Sequence, residues 1–136
     1  MYTVDDIMCD SLFLIAGHAS ARQAALEMTK RNIGMLMILN DGKIAGMITE
    51  RDLTRRILAQ GQPTDTTSVG EIMQGEIVCI RSGASIAEAC AMMLAEKVRY
   101  LPVVNENAEP IGIVGMTDLI TFFGNSAELG ALFDDD

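Results

Sequence analysis

The chain has 136 residues, 49% of them apolar, with ten basic and nineteen acidic side chains and a formal net charge of −9. The apolar share excludes a disordered chain, the charge opposes a polynucleotide partner, and no uncharged run reaches the roughly 20 residues of a membrane span. The opening residues Met1 to Asp6 place no basic stretch before an apolar one, so they do not read as a signal peptide. Cys9, Cys79 and Cys90 are odd in number and widely spaced, without a CxxC pair. Neither a disulfide framework nor a zinc site is therefore expected. The compartment reads as reducing and cytoplasmic, with Cys79 and Cys90 as small buried apolar residues.

In chain order, Leu12–Ile15 is a short apolar run read as a strand. Ser20-x-x-Gln23 then has the form of a capping box, in which side chain and backbone satisfy each other at a helix start. The helix it opens carries Ala21, Ala24, Ala25 and Met28 at i, i+3, i+4 and i+7. Two strands follow, Met35–Leu39 and Ala45–Ile48, joined by a turn over Asn40–Lys43. A second helix starts near Glu50 and ends at Gly61. The Gly, Pro and small polar residues of Gln60–Ser68 punctuate the chain. The same order then returns: a strand over Ile77–Ile80, the box Ser85-x-x-Glu88, and a helix faced by Ile86, Ala89, Cys90 and Met93. Strands Leu101–Val104 and Ile111–Val114 follow, then a helix from Met116 to Gly124.

The return is a sequence repeat. A shift of 65 lays Val4-x-x-Ile7-Met8 on Val69-x-x-Ile72-Met73, Ser20 on Ser85, Met28 on Met93 and Leu36 on Leu101. One inserted residue near 107 then lays Gly46 on Gly112 and Asp52-Leu53 on Asp118-Leu119. One register kept over some fifty residues implies two copies, 1–62 and 69–124, with a linker over 63–68 and an acidic tail over 125–136. The expected class is α/β of the α+β kind. A three-strand sheet with two helices cannot cover both faces, so the copies are expected to pack together. Residues 1–65 have a net charge of −1 and residues 66–136 one of −8, so an anionic ligand should prefer the first copy, near Arg51, Arg55 and Arg56.

Four elements carry a resemblance to the cystathionine-β-synthase (CBS) domain, and the chain resembles a stand-alone tandem pair of them. They are the Val-x-x-Ile-Met openings, the run Val98–Val104, and the segments Gly46–Leu53 and Gly112–Leu119. The resemblance implies a pseudo-two-fold pair, often called a Bateman module. Its clefts commonly bind AMP, ADP, ATP or S-adenosylmethionine, with no cofactor required and no catalysis. It also implies a homodimer that regulates a partner protein or an assembly. Carried over by motif, one pocket would hold Thr49, Arg51 and Asp52 with Val78, Ile80, Arg99, Tyr100 and Pro102. The other would hold Thr117 and Asp118 with Phe13, Ile15, Gly34 and Met35.

The chemistry fits those residue types. A helix start supplies N–H donors to phosphate, Arg51 a cation, and an ionised Asp52 or Asp118 accepts a ribose diol. The copies differ, however. Gly115 replaces Thr49, nothing basic matches Arg51, and Met37 stands where the other copy has Pro102. The Asp52 pocket is therefore expected to be the better polyphosphate site. Plainer roles stand beside these. Thr49-x-x-Asp52 also has the form of a helix cap worth about 1 kcal/mol. Arg51, Arg55 and Arg56 also suit a solvated face, and Arg99 an ion pair. His18 is expected in solvent. The ten Met suit the core or a dimer interface, and Leu129, Leu132 and Phe133 a packed or partner-binding tail. With one His, no metal set and no Walker motif, an enzyme has no support in the sequence. The competing reading is a ligand-free dimeric scaffold.

Overall fold

A computed structural model of the chain describes residues 2–40 and 43–124. Asp41 and Gly42 of the first turn, and Leu129, Leu132 and Phe133 of the tail, lie outside the described residues. In chain order the elements are α1 (Val4–Ile7), α2 (Ala21–Arg31), β1 (Met35–Asn40), β2 (Lys43–Thr49), α3 (Glu50–Asp52, continued by π-helical turns over Leu53–Leu58), α4 (Val69–Ile72), β3 (Ile80–Arg81), α5 (Ile86–Glu96), β4 (Tyr100–Val104), β5 (Pro110–Gly115) and α6 (Met116–Phe123). The mixed helix and strand content is that of the α+β class. No helix among the described residues is long and apolar enough to cross a membrane.

The strands and caps follow the repeat with local departures. β1 and β2 pair antiparallel, as do β4 and β5, and both pairs slip register at matching places, Ile38/Leu39 and Val103/Val104. β3 runs parallel to β4. Its counterpart in the first copy shrinks to one parallel bridge, Leu14 with Met37, so the expected Leu12–Ile15 strand is shorter than its apolar run. The Ser20 capping box forms in both directions, Gln23 N–H to Ser20 Oγ at 3.1 Å and Ser20 N–H to Gln23 Oε1 at 2.9 Å. Of the Ser85 box the structure shows the Ser85 half, which accepts the Glu88 N–H at 3.0 Å. Ala21, Ala24 and Met28 are buried on α2, and Ile86, Ala89 and Met93 on α5. Ala25 turns outward and Cys90 is half-buried. Cys79 is also half-buried, and its burial pushes the thiol pKa up. The helix after β2 departs furthest from expectation. Ala59 N–H bonds Thr54 O at 2.9 Å and Gln62 N–H bonds Ile57 O at 3.0 Å, five-residue spans that widen the turns.

Two compact units emerge, and their borders cross the repeats. Residues 13–77 form one, and residues 1–12 with those from 78 onward form the other. Each opening segment is thus housed with the strands of the other copy. Val4 N–H bonds Ala84 O at 2.9 Å, and at the same register Val69 N–H bonds Ala19 O at 2.8 Å. Beyond α1, Cys9 exchanges two backbone bonds with Ile113 of β5 (2.8 and 2.9 Å). Beyond α4, Gln74 does the same with Met47 of β2 (2.9 and 3.1 Å). The two repeat glycines make room for these crossings. A Cβ on Gly46 would run into Met73 Sδ and lie 3.0 Å from Gln74 O, and one on Gly112 would run into Met8 Sδ and lie 3.0 Å from Cys9 O.

Each unit has its own core. In the 13–77 unit, Ala24, Met28, Leu36, Ile38 and Ile48 close over Val69 of α4. In the other, Ile80, Leu101, Val103, Val114 and Leu119 close over Val4 of α1. The opening valine of each Val-x-x-Ile-Met motif is fully buried, so the motif is a core plug delivered to the other copy's strands.

Candidate functional site

Among the described residues each unit has one strand-to-helix corner, and the two corners are built on the same frame. In the 13–77 unit β2 ends at Thr49, which caps α3. Met35 lies opposite Thr49 in the strand pair, and Glu50 N–H bonds Gly34 O at 3.0 Å. In the other unit β5 ends at Gly115, Tyr100 lies opposite it, and Met116 N–H bonds Arg99 O at 2.9 Å. Of the expected site residues, the structure therefore gathers Gly34, Met35, Thr49 and Asp52 at one corner, and Arg99, Tyr100, Thr117 and Asp118 at the other.

The carboxylates at these corners are held very differently. Asp52 is 5% exposed. Its Oδ2 accepts the Thr49 N–H at 2.9 Å and the Thr49 hydroxyl at 3.1 Å, while Asp52 N–H donates to Thr49 Oγ1 at 3.2 Å. The cap is thus formed in both directions. The Gln74 side-chain amide donates to both carboxylate oxygens, at 3.0 Å to Oδ1 and 3.1 Å to Oδ2. Arg56 Nε lies 3.8 Å from Oδ1, and Arg56 Nη1 donates to the Ile72 carbonyl of α4 at 2.8 Å. Arg56 therefore serves as a brace between α4 and Asp52. Arg51 and Arg55 are exposed.

Asp118 is half-buried, and among the described residues its carboxylate receives one hydrogen bond, from Gly115 N–H at 2.7 Å. The hydroxyl that Thr49 gives Asp52 has no equivalent, because Gly115 has no side chain and Thr117 is exposed. Asp118 borders an open cleft of about 520 Å³ with Tyr2, Asp6, Ile7, Thr121 and Phe122. Tyr2 and Phe122 meet edge to face there, ring centroids 5.3 Å apart.

The other expected residues are placed as follows. Ile80 and Pro102 are buried, and Val78 and Ile15 are half-buried. Phe13 is half-buried under the Arg31 guanidinium, 5.5 Å from its ring centroid. Arg99 is exposed and forms no ion pair among the described residues, and His18 is exposed as expected. Gln74 escaped the sequence reading. Its repeat partner is Cys9, so the register drew no attention to a polar role.

Two copies of one corner, each closed by the opening segment of the other copy, define a tandem domain pair. The CBS domain family model matches residues 4–59 and 69–125, and the chain belongs to that family. Among curated relatives, it is 32% identical over 119 residues to the CBS domain-containing protein YhcV of Bacillus subtilis, covering 88% of this chain and 84% of that one. It is 33% identical over 120 residues to hypoxic response protein 1 of Mycobacterium tuberculosis, covering 88% and 83%. A crystal structure of Hypoxic Response Protein I with two coordinated zinc ions superposes at a TM-score of 0.77, covering 90% of this chain and 99% of that one, at 32% identity. Among the described residues of the present chain, no three His, Cys, Asp or Glu side chains gather to hold such an ion. The CBS domain pair of protein MJ0100, crystallised with 5′-methylthioadenosine and S-adenosyl-L-methionine, superposes at 0.82 with 27% identity, covering 90% and 100%.

Proposed function

We propose that this chain is a non-catalytic regulatory module of a reducing, cytoplasmic compartment. It binds an adenosine-containing ligand (AMP, ADP, ATP or S-adenosylmethionine) and modulates a partner protein or assembly. The observation that carries this reading is the doubled strand-to-helix corner, with a carboxylate at the same register in each copy. An acceptor-only group there suits a ribose diol. The nucleoside ligands of the MJ0100 pair support the same ligand class. The contact residues proposed are the two sets expected from the sequence: Thr49, Arg51, Asp52, Val78, Ile80, Arg99, Tyr100 and Pro102, and Phe13, Ile15, Gly34, Met35, Thr117 and Asp118. The module works as a homodimer. Met116, Ile120 and Phe123 support this, exposed at i, i+4 and i+7 along α6. Thermal melting with each of the four ligands tests the reading. Saturating ligand is expected to raise the midpoint, and no shift with any of them, far above ordinary affinities, overturns it.

One observation favours a second reading, a ligand-free dimeric scaffold. Asp52 is satisfied without any ligand, by Thr49 and Gln74. Protein purified with no excess absorbance near 260 nm and no melting response supports that alternative.

A further inference from the structure

We infer that Gln74 gates the Asp52 corner, so that a ribose-bearing ligand fills the Asp118 corner first. The inference rests on the proposed function and concerns which of its two carboxylates is available.

A ribose diol would present two hydroxyl donors to a carboxylate. At Asp52 that role is already taken, because the Gln74 amide reaches Oδ1 at 3.0 Å and Oδ2 at 3.1 Å. A carboxylate offers about four lone-pair sites. Oδ2 is crowded by the Thr49 N–H and hydroxyl as well as by Gln74, and Arg56 Nε stands 3.8 Å from Oδ1. With Asp52 only 5% exposed, an incoming diol must displace the amide before it can bond. Displacement breaks hydrogen bonds to a buried charge, which are stronger than neutral ones.

The other corner lacks this gate for a reason visible in the backbone. Cys9 occupies the Gln74 position, exchanging the same pair of backbone bonds with β5 that Gln74 exchanges with β2. Its thiol lies 3.8 Å from Ser11 O and has no amide to offer. Among the described residues, Asp118 keeps one bond, from Gly115 N–H, and it borders the open cleft. The Gln74/Cys9 difference, added to those of Thr49/Gly115 and Arg56/Phe122, thus closes one carboxylate and leaves the other accessible. This reverses the order expected from the arginines alone.

Calorimetric titration of the full chain with AMP and with S-adenosylmethionine tests the gate. In an Asp118→Asn background, Gln74→Ala and Gln74→Cys are each expected to tighten binding by about tenfold. In an Asp52→Asn background neither substitution should change it. Gln74→Leu, which keeps the side-chain bulk, carries the same test if the smaller variants fail to fold. Binding in the Asp118→Asn background that changes less than twofold, or weakens, when Gln74 is replaced overturns the gate and leaves the proposed function standing. Absence of binding by the wild type and by every variant overturns both.

Discussion

The two units share a backbone plan and differ in charge. Residues 13–77 carry seven basic and seven acidic side chains, whereas residues 1–12 with 78–124 carry three basic and eight acidic. Over the same residues the repeat halves, at −1 for 1–65 and −4 for 66–124, blur this contrast, because the acidic opening segment is housed in the acidic unit and the linker and α4 in the neutral one. The units also fasten their borrowed helices by different chemistry. In the acidic unit, Asp5 of α1 accepts from the Ser82 hydroxyl and from Gly83 N–H. In the neutral unit, the matching residue is Gly70, whose N–H bonds Gly17 O at 2.8 Å and where a Cβ would sit 2.9 Å from that oxygen. The same joint can thus be made by a carboxylate or by two close backbones. Apolar burial is what the copies hold in common, and polar detail is where they diverge.

The largest effects should fall where the units are alike. Leu36 and Leu101 are matched and fully buried. Leu36→Ala and Leu101→Ala should each cost about 2–5 kcal/mol in urea unfolding. Unequal costs, beyond the spread that local collapse allows, would break the equivalence of the two cores. Next are the crossing glycines. Gly46→Ala and Gly112→Ala should each destabilise by about 1–3 kcal/mol through overpacking against backbone oxygens. A tolerated alanine at either position would show that its opening segment can shift. The smallest effect sharpens the difference between the units. Bonds from Ser82 and Gly83 hold the Asp5 carboxyl below its ordinary value of 3.8. A depressed folded-state pKa stabilises above the unfolded value, and that stability is lost as pH falls through the folded one. Asp5→Asn should therefore lower the melting midpoint at neutral pH by less than about 1 kcal/mol equivalent, because the group is solvent-screened. The gap should close progressively below pH 3.8. A gap that persists in strong acid would assign the effect to something other than the charge.

Much of the fold was legible in the residues. The shift of 65 located matched strands, helices and caps because apolar periodicity and capping chemistry are local properties, readable at Ser20 or Met28 without knowing the rest of the chain. The corners at Thr49 and Gly115 were legible for the same reason. What stayed hidden was long-range. The register aligns Val4 with Val69 but says nothing about which copy's strands each valine caps, since both cores accept a valine. Gln74 was invisible because it reaches across 22 residues to Asp52. Arg56 read as part of a basic face, although its partner, the Ile72 carbonyl, carries no side-chain signal. The π-helical turns after Asp52 follow no pattern that a 3.6-residue period can register.

The exchanged opening segments also set an order of events during synthesis. The unit of residues 13–77 is continuous in the chain, so a ribosome that has released residue 77 has delivered every part of it. The other unit joins residues 1–12 to strands made only after residue 77. Val4 must wait for Ala84, some eighty residues later, before its backbone bond can form. Until then α1 is a nascent arm with a bare valine, and the closure that recruits it spans a long loop, the slow class of folding step. The neutral unit is thus completed before the acidic one, which acts as the clasp that draws residues 1–12 to the strands of the second copy.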